Sequence, residues 1–204
     1  IIIQNVVSML LLMGTLVIVL QVNYLKNTDI GFSRDMVVVV PLKRDLLKDK
    51  ALIADYLAER SDVNAFSFCD NPPAHDKVWG GTFQFDNQEA WKTWPARYAI
   101  GDSSYIQTFN IKLLAGHNFR EQTENPEFVI NESMAQQLGF KDPSTIIGKN
   151  LHAGGLNDHN LGSIVGVVAD FSTHALSEAI LPTVIGYNPE RIKNVAIKYA
   201  GHNP

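Results

Sequence analysis

The chain has 204 residues, with 17 Lys and Arg against 21 Asp and Glu, and a formal net charge of −4. Acidic and basic residues are interspersed, so no polybasic patch points to a nucleic-acid partner. The single cysteine, Cys69, excludes an internal disulfide and fits a cytoplasmic domain or an extracytoplasmic one held by its core alone.

Residues Ile1 to Leu20 are mostly apolar, and the first formal charge is Lys26. A helix of about 20 residues rises roughly 30 Å, the thickness of a bilayer's hydrocarbon core. No basic region precedes this segment and no A-x-A cleavage site follows it, so it reads as a membrane-spanning helix over residues 1–27 rather than a signal peptide. Gln4, Ser8 and Thr15 fall on one helical face, with Asn5 beside them. Polar side chains in hydrocarbon usually face other helices, so this stripe is the expected helix-packing face. Gln21, Asn23, Tyr24 and Lys26 mark the exit to water.

The remaining part, residues 28–204, is long enough for one sizeable core or two small subdomains. Thr28–Asp35 is a short connector. Met36–Val40 is a β-branched run that suits a strand buried on both faces, closed by Pro41. Lys43–Arg60 reads as an amphipathic helix with Leu46, Ile53 and Leu57 on one face, and Val63–Phe68 as a second strand ended by Asn71-Pro72-Pro73. Strand, helix and strand form a β-α-β unit.

The middle is β-rich. Strands are predicted at 82–85, 97–100, 111–114, 128–131 and 163–168, then at 182–187 and 194–199. A short helical piece at 103–109 and a helix from Glu132 to Leu138, stopped by Gly139, interrupt them. Ala153–Gly162 is rich in Gly and Asn and reads as a hairpin or loop. The chain opens inside hydrophobic sequence and ends just after a predicted strand, so both ends read as fragment boundaries.

Chemistry-bearing motifs are missing. The sequence has no P-loop, no G-x-G-x-x-G and no G-x-S-x-G. Asp170-Phe171-Ser172 has the look of a kinase triplet, but every other kinase element is lacking. His152 and His159, with Asp158, match no zinc-ligand spacing, and His75-Asp76 has no nucleophile to serve. Cys69 reads as a small core residue. Trp79, Phe83, Phe85, Trp91 and Trp94 are best explained as core packing, although an exposed aromatic patch would mean a partner surface. Asn131-Glu132-Ser133 matches a glycosylation sequon at the start of a predicted helix.

The order of short segments is more informative than any one residue. Gln21 to Asn27, followed by Asp29-Ile-Gly-Phe32 and a valine-rich strand, resembles the membrane exit in permeases of the MacB/FtsX-like ABC transporter family. Tyr105 to Phe119 resembles that family's segment ending in LLAGRNF, with His117 where arginine is usual. Val129-Ile-Asn-Glu132 through Leu138-Gly139 resembles its VVINE…LG segment, and Ile147-Gly-Lys149 its AIGK. Val165 to Phe171 resembles VVGVVKDF, with Ala169 in place of lysine, and Glu178 to Pro182 resembles an EPIQP-like stretch. The matches run in family order from Gln21 to Tyr199.

The resemblance implies an α+β chain: one N-terminal transmembrane helix, then a periplasmic domain. A β-α-β porter-like subdomain would comprise 36–70 and about 183–204. A β-rich, sabre-like insertion would span about 71–182, and the domain would be C-terminally truncated. The helix-to-domain joint would lie at Asn27, Asp29, Gly31 and Phe32. No cofactor is expected in this chain, because ATP and Mg²⁺ would sit on a separate cytoplasmic ABC ATPase. The implied partners are that ATPase, a second permease copy or paralogue, the lipid bilayer, and a periplasmic adaptor or outer-membrane component. The implied location is the bacterial inner membrane, with the soluble domain outside the cytoplasm. The chain would transmit motion rather than catalyse. The alternative is an extracytoplasmic sensor domain of a membrane receptor, which has a similar layout but would show a defined small-ligand pocket.

Overall fold

The structure is a computed structural model, and it describes residues 2–27, 37–43, 45–73, 75, 79–86, 92, 94–154, 156, 161–171 and 180–200. The chain divides into two compact units, Ile1–Ile30 and Gly31–Pro204. The first is the helix α1, Ile2–Asn27. Its Ile2–Asn23 part is long and apolar enough to cross a membrane. At 1.5 Å per residue that part spans about 33 Å.

The second unit begins with β1 (Val37–Pro41), a 3₁₀ turn at Leu46–Asp49, α2 (Lys50–Ala58) and β2 (Val63–Cys69). Next come β3 (Gly80–Gly81), β4 (Phe83–Phe85), β5 (Ala96–Ile100), α3 (Tyr105–Thr108), β6 (Leu113–Gly116), β7 (Glu127–Asn131) and α4 (Glu132–Gln137). It ends with β8 (Asn150–Ala153), β9 (Gly162–Val168), β10 (Thr183–Gly186) and β11 (Asn194–Tyr199).

The predicted β-α-β unit forms, but β1 and β2 are not neighbours. β11 lies between them and pairs antiparallel with both, from Val37↔Lys198 to Pro41↔Asn194 on one side and from Asn194↔Cys69 to Lys198↔Ala65 on the other. β1 and β2 are therefore parallel to each other, with α2 as the crossover. Leu57 of α2 packs with Phe68, Ile192, Val195 and Ile197, and Ile53 and Ala54 adjoin this cluster. Leu46, expected on the buried face, is exposed, because the helix starts later than predicted and Leu47 supplies the core contact instead.

The valine run is not buried on both faces. β1 is at the end of its sheet, and Val38 and Val40 keep 49% and 40% of their surface exposed. A run of β-branched residues suits any strand, and Pro41, which cannot donate to a ladder, is typical of an edge.

The larger sheet has the order β3-β5-β10-β7-β9-β8-β4, with β6 on β9. Thr82 alone separates β3 from β4, so this one stretch of chain supplies both ends of the sheet. It pairs with β5 on one side and β8 on the other, and the sheet closes into a small barrel. Tyr98 Oη donates to the Thr82 carbonyl at 2.8 Å where the strand changes neighbours. Phe83, Phe85, Tyr98, Phe128, Ile130, Leu151, Ile164, Val167 and Val184 belong to its core. Closure removes the exposed edges of an open sheet.

Two sequence expectations are settled here. The aromatic cluster is core: Phe83 meets Trp94 edge-on at 4.7 Å, and Trp79 meets Tyr98 at 5.1 Å. Trp91 lies outside the described residues. Thr183–Gly186, assigned to the porter-like part, instead pairs with β5 and β7 in the barrel. Val184 and Ile185 are fully buried there, so the chain rejoins the small sheet only after Gly186.

Candidate functional site

The membrane helix carries the first predicted site. Gln4 and Ser8 are exposed on α1. The Thr15 hydroxyl already donates to the Leu11 carbonyl at 2.8 Å, as is common for Thr inside apolar helices. The Thr15 oxygen keeps its lone pairs, so it can still accept a hydrogen bond from a neighbouring helix. Asn27 closes α1, whereas Asp29, Gly31 and Phe32 lie outside the described residues.

The second feature is the seam that joins the small sheet to the barrel. The C-terminal end of β2 meets the chain leaving β5. Cys69 and Gly101 form an antiparallel bridge, Asp70 N–H donates to Ile100 O at 3.0 Å, and Asp102 N–H donates to Phe68 O at 3.0 Å. The carboxylate of Asp102, itself buried, accepts from Ser67 Oγ at 2.7 Å and from Phe68 N–H at 2.8 Å. Burial pushes the Asp102 carboxyl above its ordinary range, against the pull of the Phe68 amide and the Ser67 hydroxyl. Lys193 Nζ reaches Asp70 at 3.0 Å, and the Asn194 side chain donates to the Asp70 carbonyl. Backbone ladders and buried polar bonds together make a stiff joint, since each bond lost here would strand a desolvated group.

The recognisable motifs also have a physical role. Asn131 Nδ2 donates to Asp170 Oδ1 at 2.8 Å and to Leu181 O at 3.0 Å. Its Oδ1 accepts from Thr183 N–H at 2.7 Å and, as the N-cap of α4, from Met134 N–H at 3.2 Å. Ser133 donates from its amide to Asp170 at 2.9 Å and also from its hydroxyl. Three of the motif segments thus meet at one buried asparagine. This gives Asp170 a structural role as the acceptor for Asn131 and Ser133, and it closes the sequon, because Asn131 is fully buried. Gly116 and Gly166 meet across β6 and β9. Gly116 has φ +72°, and a Cβ on Gly166 would lie 2.3 Å from the His117 carbonyl. Gly139 ends α4 at φ +96°, as predicted. His117 and Ala169, the two departures from the family pattern, stand at the end of β6 and just after β9, where neither is buried.

Among the described residues, no group of three His, Cys, Asp or Glu could hold a metal. Cys69 is buried, and desolvation pushes its thiol up, away from a reactive thiolate. An open groove of about 220 Å³ runs along the outer edge of β2, lined by Leu57, Ala58, Phe66, Ser104 and Gln107 among others, all uncharged. Arg120 grips the largely buried Glu127 with its side chain, and its backbone N–H donates to the same carboxylate at 2.9 Å; Arg120 holds the Glu127 carboxyl below the usual range.

A carboxylate whose pKa is lowered on folding stabilises the native state above its unfolded value and loses that contribution as pH falls through its folded value. Arg120→Ala is therefore expected to destabilise the domain modestly at pH 7, with the Arg end exposed and screened. Wild type and variant should converge in acid, once the pH is below the lowered folded value of Glu127. Urea titrations at both pH values check this, and a pH-independent difference would contradict it.

No protein-family model and no curated protein sequence matches the chain. The solved structures do. The periplasmic region of MacB from Actinobacillus actinomycetemcomitans superposes with a TM-score of 0.51 at 14% identity, over 85% of this chain and 78% of that one. The domain has the MacB-like periplasmic fold. The extracellular domain of the noncanonic ABC-type transporter YknZ from Gram-positive bacteria also matches, at 15% identity and a TM-score of 0.46, over 81% of this chain and 82% of that one. The MacB-like fold agrees with the α+β architecture expected from the motifs, reached through shape rather than residue identity.

Proposed function

We propose that this chain is part of an ABC transporter permease subunit whose MacB-like domain lies outside the cytoplasm and is moved by ATP hydrolysis elsewhere. The observation that carries the reading is the pairing of a helix fit to span a membrane with a following domain of MacB-like fold. ATP and Mg²⁺ would belong to a separate cytoplasmic ATPase. A second permease copy or paralogue would pair with this one, using Gln4, Ser8 and Thr15 at the helix contact, and a periplasmic adaptor or outer-membrane component could engage the outer domain. The chain itself would not be an enzyme.

Transmitted motion needs a stiff body and a short joint. The seam through Asp70, Gly101 and Asp102 supports the first requirement. Only residues 28–36 separate Asn27 from Val37, which supports the second. Inserting a flexible Gly/Ser segment after Asn27 leaves every described contact within the two units intact, but it replaces that joint with a random coil whose ends do not report each other's orientation. Transport-linked function in cells should fall to background, while expression, membrane insertion and the partner's basal ATP hydrolysis persist. Full activity in the loosened variant would exclude mechanical transmission through this joint.

A further inference from the structure

The seam between the small sheet and the barrel is built around one carboxylate. Asp102 keeps only 6% of its surface exposed. Its side chain accepts from Ser67 Oγ at 2.7 Å and Phe68 N–H at 2.8 Å, both on β2, and from Ser104 N–H at 3.1 Å, just before α3. Its backbone N–H donates to the Phe68 carbonyl, and its own carbonyl accepts from Tyr105 N–H at 3.0 Å. One residue thus ties β2, the exit of β5 and α3 together. None of the ion pairs among the described residues includes it. Its negative charge is buried on hydrogen bonds alone, which is a costly place for a charge.

Ionisable groups face this carboxylate from every element packed on the seam. Burial acts most strongly on Asp102 and raises it; the Phe68 amide, the Ser67 hydroxyl and the Lys50 charge pull it down, and the Glu121 charge pushes it up. Lys50, on α2, lies over the rings of Phe68 and Tyr187, 4.8 and 5.4 Å from their centres. Glu121, in the segment after β6, accepts from the amide and hydroxyl of Ser103. Asp70, at the end of β2, is taken by Lys193 at 3.0 Å. Burial pushes Cys69, Tyr105 and Tyr187 up, so all three are neutral across the range where carboxylates titrate. Asp102 is therefore the buried group of the seam whose charge changes in acid.

The proton has a place to go without moving the backbone. A protonated Asp102 donates to Ser67 Oγ along the same 2.7 Å line, the serine hydrogen turns away, and the other oxygen still accepts from Phe68 N–H. Protonation removes a buried charge and keeps both bonds to β2. An acid raised in the closed seam favours closure most when protonated, and that preference is lost as pH rises from the ordinary carboxylate range through the raised value. From these contacts we infer that the seam is a proton-operated joint: protonation of Asp102 tightens the union of the small sheet with the barrel, and its ionisation loosens it. The inference rests on the seam alone and is independent of coupling to an ATPase.

The test is hydrogen exchange of the 204-residue chain in detergent, wild type against Asp102→Asn, from about pH 4 to about pH 8. Asparagine copies the protonated form, with Oδ1 accepting from Phe68 N–H and Nδ2 donating to Ser67 Oγ. Comparing the two proteins at equal pH cancels the intrinsic exchange rate and the titration of the histidines. At the alkaline end the segments 66–70 and 100–104 should exchange about threefold or more slowly in the variant, and the ratio should shrink steadily toward acid. The barrel segment 127–131 should not differ. A ratio that stays constant, or that grows toward acid, would overturn the inference. Two milder variants decide the matter if Asp102→Asn does not fold. Lys50→Met removes the charge that favours the anion and should move the loosening of the seam to higher pH, whereas Glu121→Gln removes the opposing charge and should move it lower. Shifts in the same direction, or no shift in either, would overturn it equally.

Discussion

Replacing Asn131 by alanine is expected to destabilise the domain by about 3–4 kcal/mol. The side chain is fully buried and makes four hydrogen bonds: to Asp170, to Leu181 O, and from the amides of Met134 and Thr183. Alanine leaves the buried Met134 and Thr183 amides without their acceptor, whereas Asp170 keeps its two bonds from Ser133 and Leu181 O its bond from the Thr183 hydroxyl. Each buried unsatisfied group costs about 1–3 kcal/mol, and local relaxation makes the sum less than additive. The loss of the α4 N-cap accounts for about 1 kcal/mol of the total. Urea denaturation followed by tryptophan fluorescence measures the change. Asn131→Asp sharpens the test: it keeps the capping oxygen but removes the donor and sets a second carboxylate against Asp170. It should be as damaging as alanine at pH 7 and less so in acid, where protonation restores a donor. A loss below about 1 kcal/mol for alanine would mean that the motif segments are held by something other than Asn131.

Gly166→Val is expected to lower the melting temperature by roughly 6–12 °C, corresponding to about 3 kcal/mol in a domain of this size. A Cβ at position 166 would lie 2.3 Å from the His117 carbonyl oxygen and 3.2 Å from Val129 Cγ2. The first of these neighbours is backbone and has no alternative rotamer, so β6 must separate from β9. Overpacking of this kind costs about 1–3 kcal/mol before any hydrogen bond is lost, and here the His117 N–H to Val165 O bond at 2.9 Å would open as well. Gly116→Ala should behave alike, because its φ of +72° disfavours any side chain and its Cβ would meet Val165 O at 2.1 Å. Calorimetry of the two single variants and the double variant gives a further check. Both substitutions break one contact, so their effects should fall well short of additive. A double variant that loses the full sum would show the two glycines acting separately.

Local sequence carried a good deal of this protein. Twenty mostly apolar residues without a charge can hardly be anything but a long exposed or membrane helix, and α1 follows. Strand and helix identities in 63–69, 96–100, 127–137 and 162–168 were legible because each has a strong local signal: β-branched alternation, the Asn131 cap and the Gly139 stop. The order of the motif segments pointed to the MacB-like fold at a level of identity where no single residue could.

The remaining features were decided by pairings between residues far apart in the chain, and local propensity does not encode those. Val37–Pro41 has the composition of a central strand, yet it sits at an edge, because the strand inserted next to it comes from 194–199. Thr183–Gly186 went to the barrel because its neighbours β5 and β7 offered two ladders and a closed core. Asn131 and Asp170 are 39 residues apart, and neither has a local feature that names the other. The motif glycines were visible as letters, but only the approach of β6 to β9 shows that they are there to let two backbones touch. Sequence determined which segments would be helix or strand and that one would suit a membrane. Tertiary structure decided which strands became neighbours, because that choice depends on burying apolar faces and satisfying backbone groups across the whole domain at once.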